Sequence, residues 1–379
     1  MADDIKIFSA DSHMSEPGDL WVQRLDKEFR WRAPRIESRE RNGKMEDLWI
    51  YEGFPPHPVG VGLGAAALKG ENFREEGKGY DDARTGGWDP AARIKDQDID
   101  GVDGEVLHTT LCFRLFWLQD PKLQRACFRV YNDWLAEFCA YDRKRYVGVP
   151  LISLYDVAEG VAELQRSAKL GLKGCMIWLS PPPAFPPYTS KLYDPFWAAA
   201  QELDMPVVLH VITGGAESRL SPSSYWDENS VLGEILQPHE AQRTMAQLIF
   251  SGVLERFPGL KIITAENGTD WIPWWLGRLK RAERRKNGFP TKLSLPPIDY
   301  YRRQMYVSYI DEPEAVEAMD IIGVDQLMFA TDYPHTASRW PNSMKVVERD
   351  TAGMDISIKR KLIRENALKL FGLPAPVLV

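Results

Sequence analysis

Short runs of β-branched and apolar residues recur along the chain. Each is followed by a stretch in which apolar residues return every three or four positions. The first pattern belongs to strands buried on both faces, the second to amphipathic helices. The strand candidates are IKIFSAD (5–11), GEVLHTT (104–110), YVGVPLI (146–152), GCMIWLS (174–180), PVVLHVI (206–212), LKIITAE (260–266), QMYVSYI (304–310) and QLMFATD (326–332). Helix-like stretches lie at 123–142, 157–170, 195–204, 239–257 and 313–322. Eight strands alternating with helices predict an α/β fold, a (β/α)8 TIM-like barrel. An open, doubly wound sheet has similar local text, but the Gly-rich phosphate turn that often accompanies it is missing.

Three segments break the rhythm. Residues 52–90 are Gly-rich and weakly patterned, SPPPAFPPYTS (180–190) is a stiff proline loop, and ITGGAESRLSPSSYWDENS (212–230) follows the fifth strand candidate. In a barrel the last two leave strand ends at the C-terminal face, where active sites are built, so they are candidate walls or lids. The expectation is a single barrel domain over residues 1–379, with an insertion at about 52–90 and long loops at the C-terminal face.

Composition acts by exclusion. The chain is 44% hydrophobic and 27% charged, as soluble globular proteins are. A net charge of −7 leaves no cationic excess for phosphates, so a nucleic-acid partner is not expected. The basic run RLKRAERRKNG (278–288) reads as a solvated helix face. No run of about 18 apolar residues occurs, so no membrane span is expected. The opening MADDIKIF lacks the order of a secretory leader, and Cys112, Cys127, Cys139 and Cys175 form no CxxC pair. Free thiols and a cytoplasmic location follow as expectations.

The candidate chemistry lies in where the polar residues fall. Asp11 and His13 end the first strand candidate, two residues apart, and in an extended strand such positions share a side. His108 stands near the end of the second, His210 ends the fifth, Glu266 the sixth and Asp332 the eighth, with His335 three residues on. Four of the chain's six histidines thus sit at or just past strand ends, which converge in a barrel. Imidazole and carboxylate together suit a divalent first-row ion such as zinc, manganese or iron(II), and Asp11, His13, His210 and Asp332 would leave such a site open. Each residue alone reads as a rim or capping residue, and only the four together point to a metal.

Five phrases extend this reading. DSHMSEPGDLW, DWLAEFCAYDRKRYVGVPLISL, YDPFWAAAQELDMPVVLH, LIFSGVLERFPGLKIITAENGTDWIPWWLGRLKR and LMFATDYPH follow one another between residues 11 and 335, within a resemblance that runs from residue 7 to about 372. In order and spacing they resemble the amidohydrolase superfamily, in the branch that contains aminocarboxymuconate-semialdehyde decarboxylase and the resorcylate and carboxyvanillate decarboxylases. The resemblance implies a barrel, a homodimer, and one divalent ion with His13, His210 and Asp332 as ligands and Asp11 as a fourth. Zinc is the first expectation, manganese or iron the alternatives. No Lys ends the fourth strand candidate, so a two-metal site bridged by a carbamylated lysine is not implied. Where many relatives carry His-x-Gly after the sixth strand, this chain reads Glu266, Asn267, Gly268. Glu266, His239 or His335 must then supply the acid/base group, unless Glu266 is spent on a salt bridge such as one to Arg278.

Two reactions use such a constellation. In the favoured one the ion orients an aromatic or conjugated carboxylic acid, Glu266 or Asp332 protonates the ring carbon, and carbon dioxide leaves. In the other a metal-bound water, deprotonated by Asp332, attacks an amide, ester, lactone or activated carbon–carbon bond. A metal-free barrel used as a binding protein is the third reading. Arg219 and Arg339, in loops after the fifth and eighth strand candidates, are candidate clamps for a substrate carboxylate.

Overall fold

A computed structural model describes residues 5–41, 43–59, 79–214, 235–236, 238–284 and 292–374. All eight strand candidates are strands. They are β1 (Ile7–His13), β5 (Val102–His108), β6 (Tyr146–Gly148), β7 (Cys175–Ile177), β8 (Val207–His210), β9 (Ile262–Ala265), β10 (Met305–Tyr309) and β11 (Leu327–Phe329). Every neighbouring pair is parallel, in the runs β1-β5-β6 and β7-β8-β9-β10-β11. Two seams join these runs into a barrel. At one, Leu151 bridges Met176, with Ile152 N donating to Met176 O at 2.9 Å. At the other, Asp332 N donates to Asp11 O at 3.0 Å and His13 N to Tyr333 O at 2.7 Å. The strands are buried on both sides, as expected where helices wrap a parallel sheet.

The surrounding helices are set by local chemistry. Asp89 and Asp120 each precede a proline, and their carboxylates accept from Ala92 N at 2.8 Å and Lys122 N at 2.9 Å, starting helices Pro90–Asp100 and Pro121–Cys139. Gly101, at φ 72°, ends the first of these and turns the chain directly into β5.

The insertion begins earlier than the sequence suggests. β2 (Arg35–Arg41), β3 (Lys44–Ile50) and β4 (His57–Pro58) form a separate antiparallel sheet. Arg41 pairs with Lys44 across an Asn-Gly step, with Gly43 at φ 76°. Trp49 anchors this sheet by packing on Trp21 at 5.1 Å, whereas Met45 is largely exposed. Residues 60–78 of the expected insertion, 215–230 of the loop after β8, and 285–288 of the basic run lie outside the described residues. Among the described residues no helix is long and apolar enough to cross a membrane. The four cysteines are free and buried.

Candidate metal centre and active site

The C-terminal ends of β1, β5, β8, β9 and β11 supply the polar residues. Between the pairs Ser9↔Glu105 and Ser12↔Leu107, β1 carries one residue more than β5, and Asp11 lies in that bulge. His13 Nδ1 lies 2.8 Å from the Thr109 carbonyl, which places the proton on Nδ1 and turns Nε2 inward. Glu16, buried just beyond, accepts from Leu111 N at 3.0 Å, Thr110 N at 3.2 Å and the Thr109 hydroxyl, and so fixes the turn that holds His13. Glu266 follows β9 directly and Asp332 comes three residues after β11, at φ 55° and 52°. Left-handed backbone is unfavourable for both and is kept by its surroundings. Asn267 donates to the carbonyls of Leu209 and Ala265 at 3.1 and 2.7 Å, and Asp332 is held by the seam to β1.

Arg93 ties these pieces together. Fully buried, it pairs with Glu105 at 2.6 Å and donates to the carbonyls of His13 at 2.7 Å and Tyr333 at 3.4 Å. One guanidinium thus spans β5 and both sides of the β1–β11 seam. Replacing Arg93 with Met strands the Glu105 carboxylate, and we expect about 3–5 kcal/mol of lost stability by denaturant unfolding.

Two sets of donors meet at the barrel mouth. Asp11, His108 and His210 each offer an atom within 4.8 Å of the others, and so do His13, Glu266, Asp332 and His335. The sets touch where His13 Nε2 lies 3.3 Å from Asp11 Oδ1 and 3.1 Å from Asp332 Oδ1. His108 Nδ1 is 3.0 Å from Asp11 Oδ1, and His210 Nε2 is 3.5 Å from Asp11 Oδ2 and 3.7 Å from Glu266 Oε2. Despite these approaches, both oxygens of Asp11 and of Asp332, Nε2 of His13 and His210, and both nitrogens of His108 are buried without a hydrogen bond. Each such atom costs about 1–3 kcal/mol unless something else satisfies it. Donors about 2.1 Å from a common ion lie about 3.0 Å apart in an octahedron and about 3.4 Å apart in a tetrahedron. The 3.0–3.3 Å spacings of His13 and His108 from Asp11 and of His13 from Asp332 match those edges, and the 3.5 Å spacing of His210 from Asp11 lies close to the longer one, so the residues fit a divalent cation.

The electrostatics agree. Burial would raise the Asp11 carboxyl, but the imidazoles of His108, His210 and His13 hold it well below the usual carboxylate range. Burial likewise opposes charge on His13, yet Asp11 and Asp332 hold its pKa well above the ordinary imidazole value. Burial takes His108 the other way, to about 4, with Asp11 offsetting it only in part. Asp332 is lowered, with His335 and His13 outweighing its burial. Glu266 is pushed well above the usual range by burial, then by Asp332 and Asp11. Glu266 is also the acid that keeps 28% of its side chain open, against 0% for Asp11 and 1% for Asp332.

A model of the amidohydrolase family matches residues 48–373. The chain belongs to that family. The gamma-resorcylate decarboxylase of Rhizobium radiobacter is 27% identical over 305 residues, which cover 74% of this chain and 86% of that protein. An amidohydrolase from Mycobacterium avium subsp. paratuberculosis K-10 shares the fold over 98% of this chain and 100% of its own, with a TM-score of 0.79 at 23% identity. A dihydroxybenzoic acid decarboxylase from Polaromonas sp. JS666, solved with bound manganese and the inhibitor 2-nitroresorcinol, covers 74% of this chain and 85% of its own, with a TM-score of 0.62 at 22% identity. These neighbours and the two closed seams agree on the (β/α)8 barrel.

Of the residues singled out in the sequence, Asp11, His13, His210, Glu266, Asp332 and His335 come together. His335 stacks on His13 at 3.8 Å, and its Nε2 meets the Thr110 hydroxyl at 2.8 Å. His239 does not join them. It is exposed at the start of helix Pro238–Phe250 and belongs to neither donor set, while its neighbour Glu240 turns inward to the Ser180 hydroxyl. Arg339 is engaged by Asp311, whose other oxygen takes Arg349 at 2.6 Å. Arg278 is exposed and lies over Trp274, and Arg219 lies outside the described residues.

Sequence reasoning noticed His108 without giving it a role, and it passed over the segment that follows. In the 3-10 helix Leu111–Trp117, Phe113 packs on the rings of His210 at 4.5 Å and His13 at 5.6 Å. Next to it, Arg114 meets His57 Nε2 at 2.6 Å and stands over the Trp117 ring at 5.6 Å. Trp117 in turn donates to Ile212 O, two residues past His210. An apolar stretch such as LCFRLFW carries no motif that would mark it as a site wall.

Proposed function

We propose that the protein is a metal-dependent, non-oxidative decarboxylase of an aromatic or conjugated carboxylic acid, with one divalent ion held by Asp11, His13, His210 and Asp332. The observation that carries this reading is the meeting of two buried acids and two imidazole nitrogens, none of them hydrogen-bonded, at the ends of β1, β8 and β11. Two carboxylates make the donor set hard, which favours manganese over zinc, and the Polaromonas decarboxylase holds manganese. When bound, the ion would hold a substrate oxygen and offset negative charge that builds on the reacting acid.

The chain's own residues supply the rest. Glu266 stands beside His210 outside the ligand set and donates a proton to the ring carbon that bears the carboxylate. A carbon–hydrogen bond forms there, the carbon–carboxylate bond breaks, and its electrons return to the ring as carbon dioxide leaves. Phe113 gives the ring an apolar wall. Arg114, next to Phe113 and hydrogen-bonded to His57, turns to a substrate oxygen, the role that the sequence had offered to Arg339. Arg114→Met is expected to raise KM by about 10–100-fold and to change kcat less, the loss expected for one charged hydrogen bond. Steady-state kinetics checks the split.

Incubation of manganese-loaded protein with a panel of hydroxybenzoates in heavy water tests the reaction. Carbon dioxide release with deuterium at the vacated ring position is expected. Retention of the carboxylate with uptake of solvent oxygen would mark a hydrolase instead. The reading includes a cytoplasmic homodimer, and sedimentation at micromolar protein checks the assembly.

A further inference from the structure

We infer that His108 is a further protein ligand of the same ion, so that three imidazoles and two carboxylates surround it rather than two and two. The inference rests on the one-metal reading above and goes past the four residues that the family resemblance supplies. Its ground is a contrast among the buried histidines. His13 and His210 each commit Nδ1 to a carbonyl, at 2.8 and 3.2 Å, and leave Nε2 without a partner. His335 commits Nε2 to Thr110. His108 is fully buried, and neither of its ring nitrogens meets hydrogen-bond geometry.

A core histidine in a structural role would be anchored through at least one ring nitrogen, because a buried polar atom without a partner is costly. His108 instead stands with Nδ1 3.0 Å from Asp11 Oδ1, the spacing of adjacent donors on an octahedral ion. Its ring meets that of His210 edge-on at 5.2 Å and that of His13 at 5.9 Å. Asp11 is therefore the shared centre of the set, with its Oδ1 facing His108 and His13 and its Oδ2 facing His210. The backbone supports this placement, since β1 and β5 pair His13 directly with His108.

Five donors exceed what a tetrahedral ion accepts and suit a six-coordinate one, with a single position left for a substrate oxygen. The chain would then select manganese or iron(II) by crowding out tetrahedral zinc.

X-ray absorption at the manganese edge of the full-length, manganese-loaded protein counts the bound imidazoles directly. Three are expected, from His13, His108 and His210, and two would overturn the inference. In His108→Gln the count falls by one, and the manganese dissociation constant rises by at least about 100-fold, beyond what loss of an outer hydrogen bond produces. An unchanged count in that variant also overturns it. Should the variant fail to fold, the wild-type count decides alone. A protein with three bound imidazoles that releases no carbon dioxide from any hydroxybenzoate keeps this ligand and loses the decarboxylase reading. Decarboxylation by a protein with two bound imidazoles does the reverse.

Discussion

Glu266→Gln is expected to lower kcat by about 10²–10⁴-fold, the range typical of losing a positioned acid, while manganese content stays at the wild-type level. The substitution keeps the shape of the side chain and removes the proton. Glu266 lies outside the ligand set, yet it is the acid with surface open toward the mouth. Its φ of 55° is as demanding for Gln as for Glu, so the backbone penalty is common to both proteins. Single-turnover rates with a hydroxybenzoate substrate measure the effect, and deuterium transfer from heavy water into the product shows whether protonation is the step that slows. A variant that retains more than a tenth of wild-type kcat would transfer the role to His335, which already stacks on His13.

Asp332→Asn is expected to weaken manganese binding by at least about 100-fold and to abolish activity at limiting metal, since it removes a charged ligand and not an outer hydrogen bond. Stability falls in both states of the protein, for different reasons. Without metal, Asp332 is a buried carboxylate with neither oxygen hydrogen-bonded, 3.1 Å from His13 and in the same donor set as Glu266. A neutral amide gives up the attraction to His335 and His13 that holds Asp332 ionised, so the metal-free variant should melt below the metal-free wild type. With metal, the wild type gains about 2.7 kcal/mol at a ligand concentration of one hundred times Kd, and the variant should gain almost nothing. Thermal melts with and without manganese read both effects. A variant whose Tm rises on manganese addition as far as that of the wild type would remove Asp332 from the ligand set.

The barrel was legible because its strands are fully buried, so each reads as a short, unbroken β-branched run, and because their polar residues crowd at one end. Asp11, His13, His210, Glu266 and Asp332 could all be placed on that rule. The β2–β3 hairpin was not legible, because RIESRER and KMEDLWI are dense in charge and only the last part of β3 is buried. Its one local signal was the Asn-Gly step. Arg93 was hidden in the helix text ARIKDQDID, where a charged residue normally faces water. Its burial depends on Glu105 and on two carbonyls that are distant in sequence. His239 and Arg339 failed for a related reason. A strand-end rule says which residues approach the mouth, but not which way a residue on a helix or long loop will turn. His108 lacked a role because whether a ring nitrogen is hydrogen-bonded is a property of packing that no spacing reveals.

The β1–β11 seam also dictates when the centre can exist. Ser12 and Thr331 touch across 319 residues of chain, so Asp11 and His13 leave the ribosome long before Asp332 is synthesised. No nascent fragment that ends before β11 contains all the proposed ligands, and such a fragment also lacks the strand that closes the barrel around Ser9, Ser12 and Arg93. With those ligands, metal capture is tied to release of the nearly complete polypeptide, and loading would report that the last strand has docked.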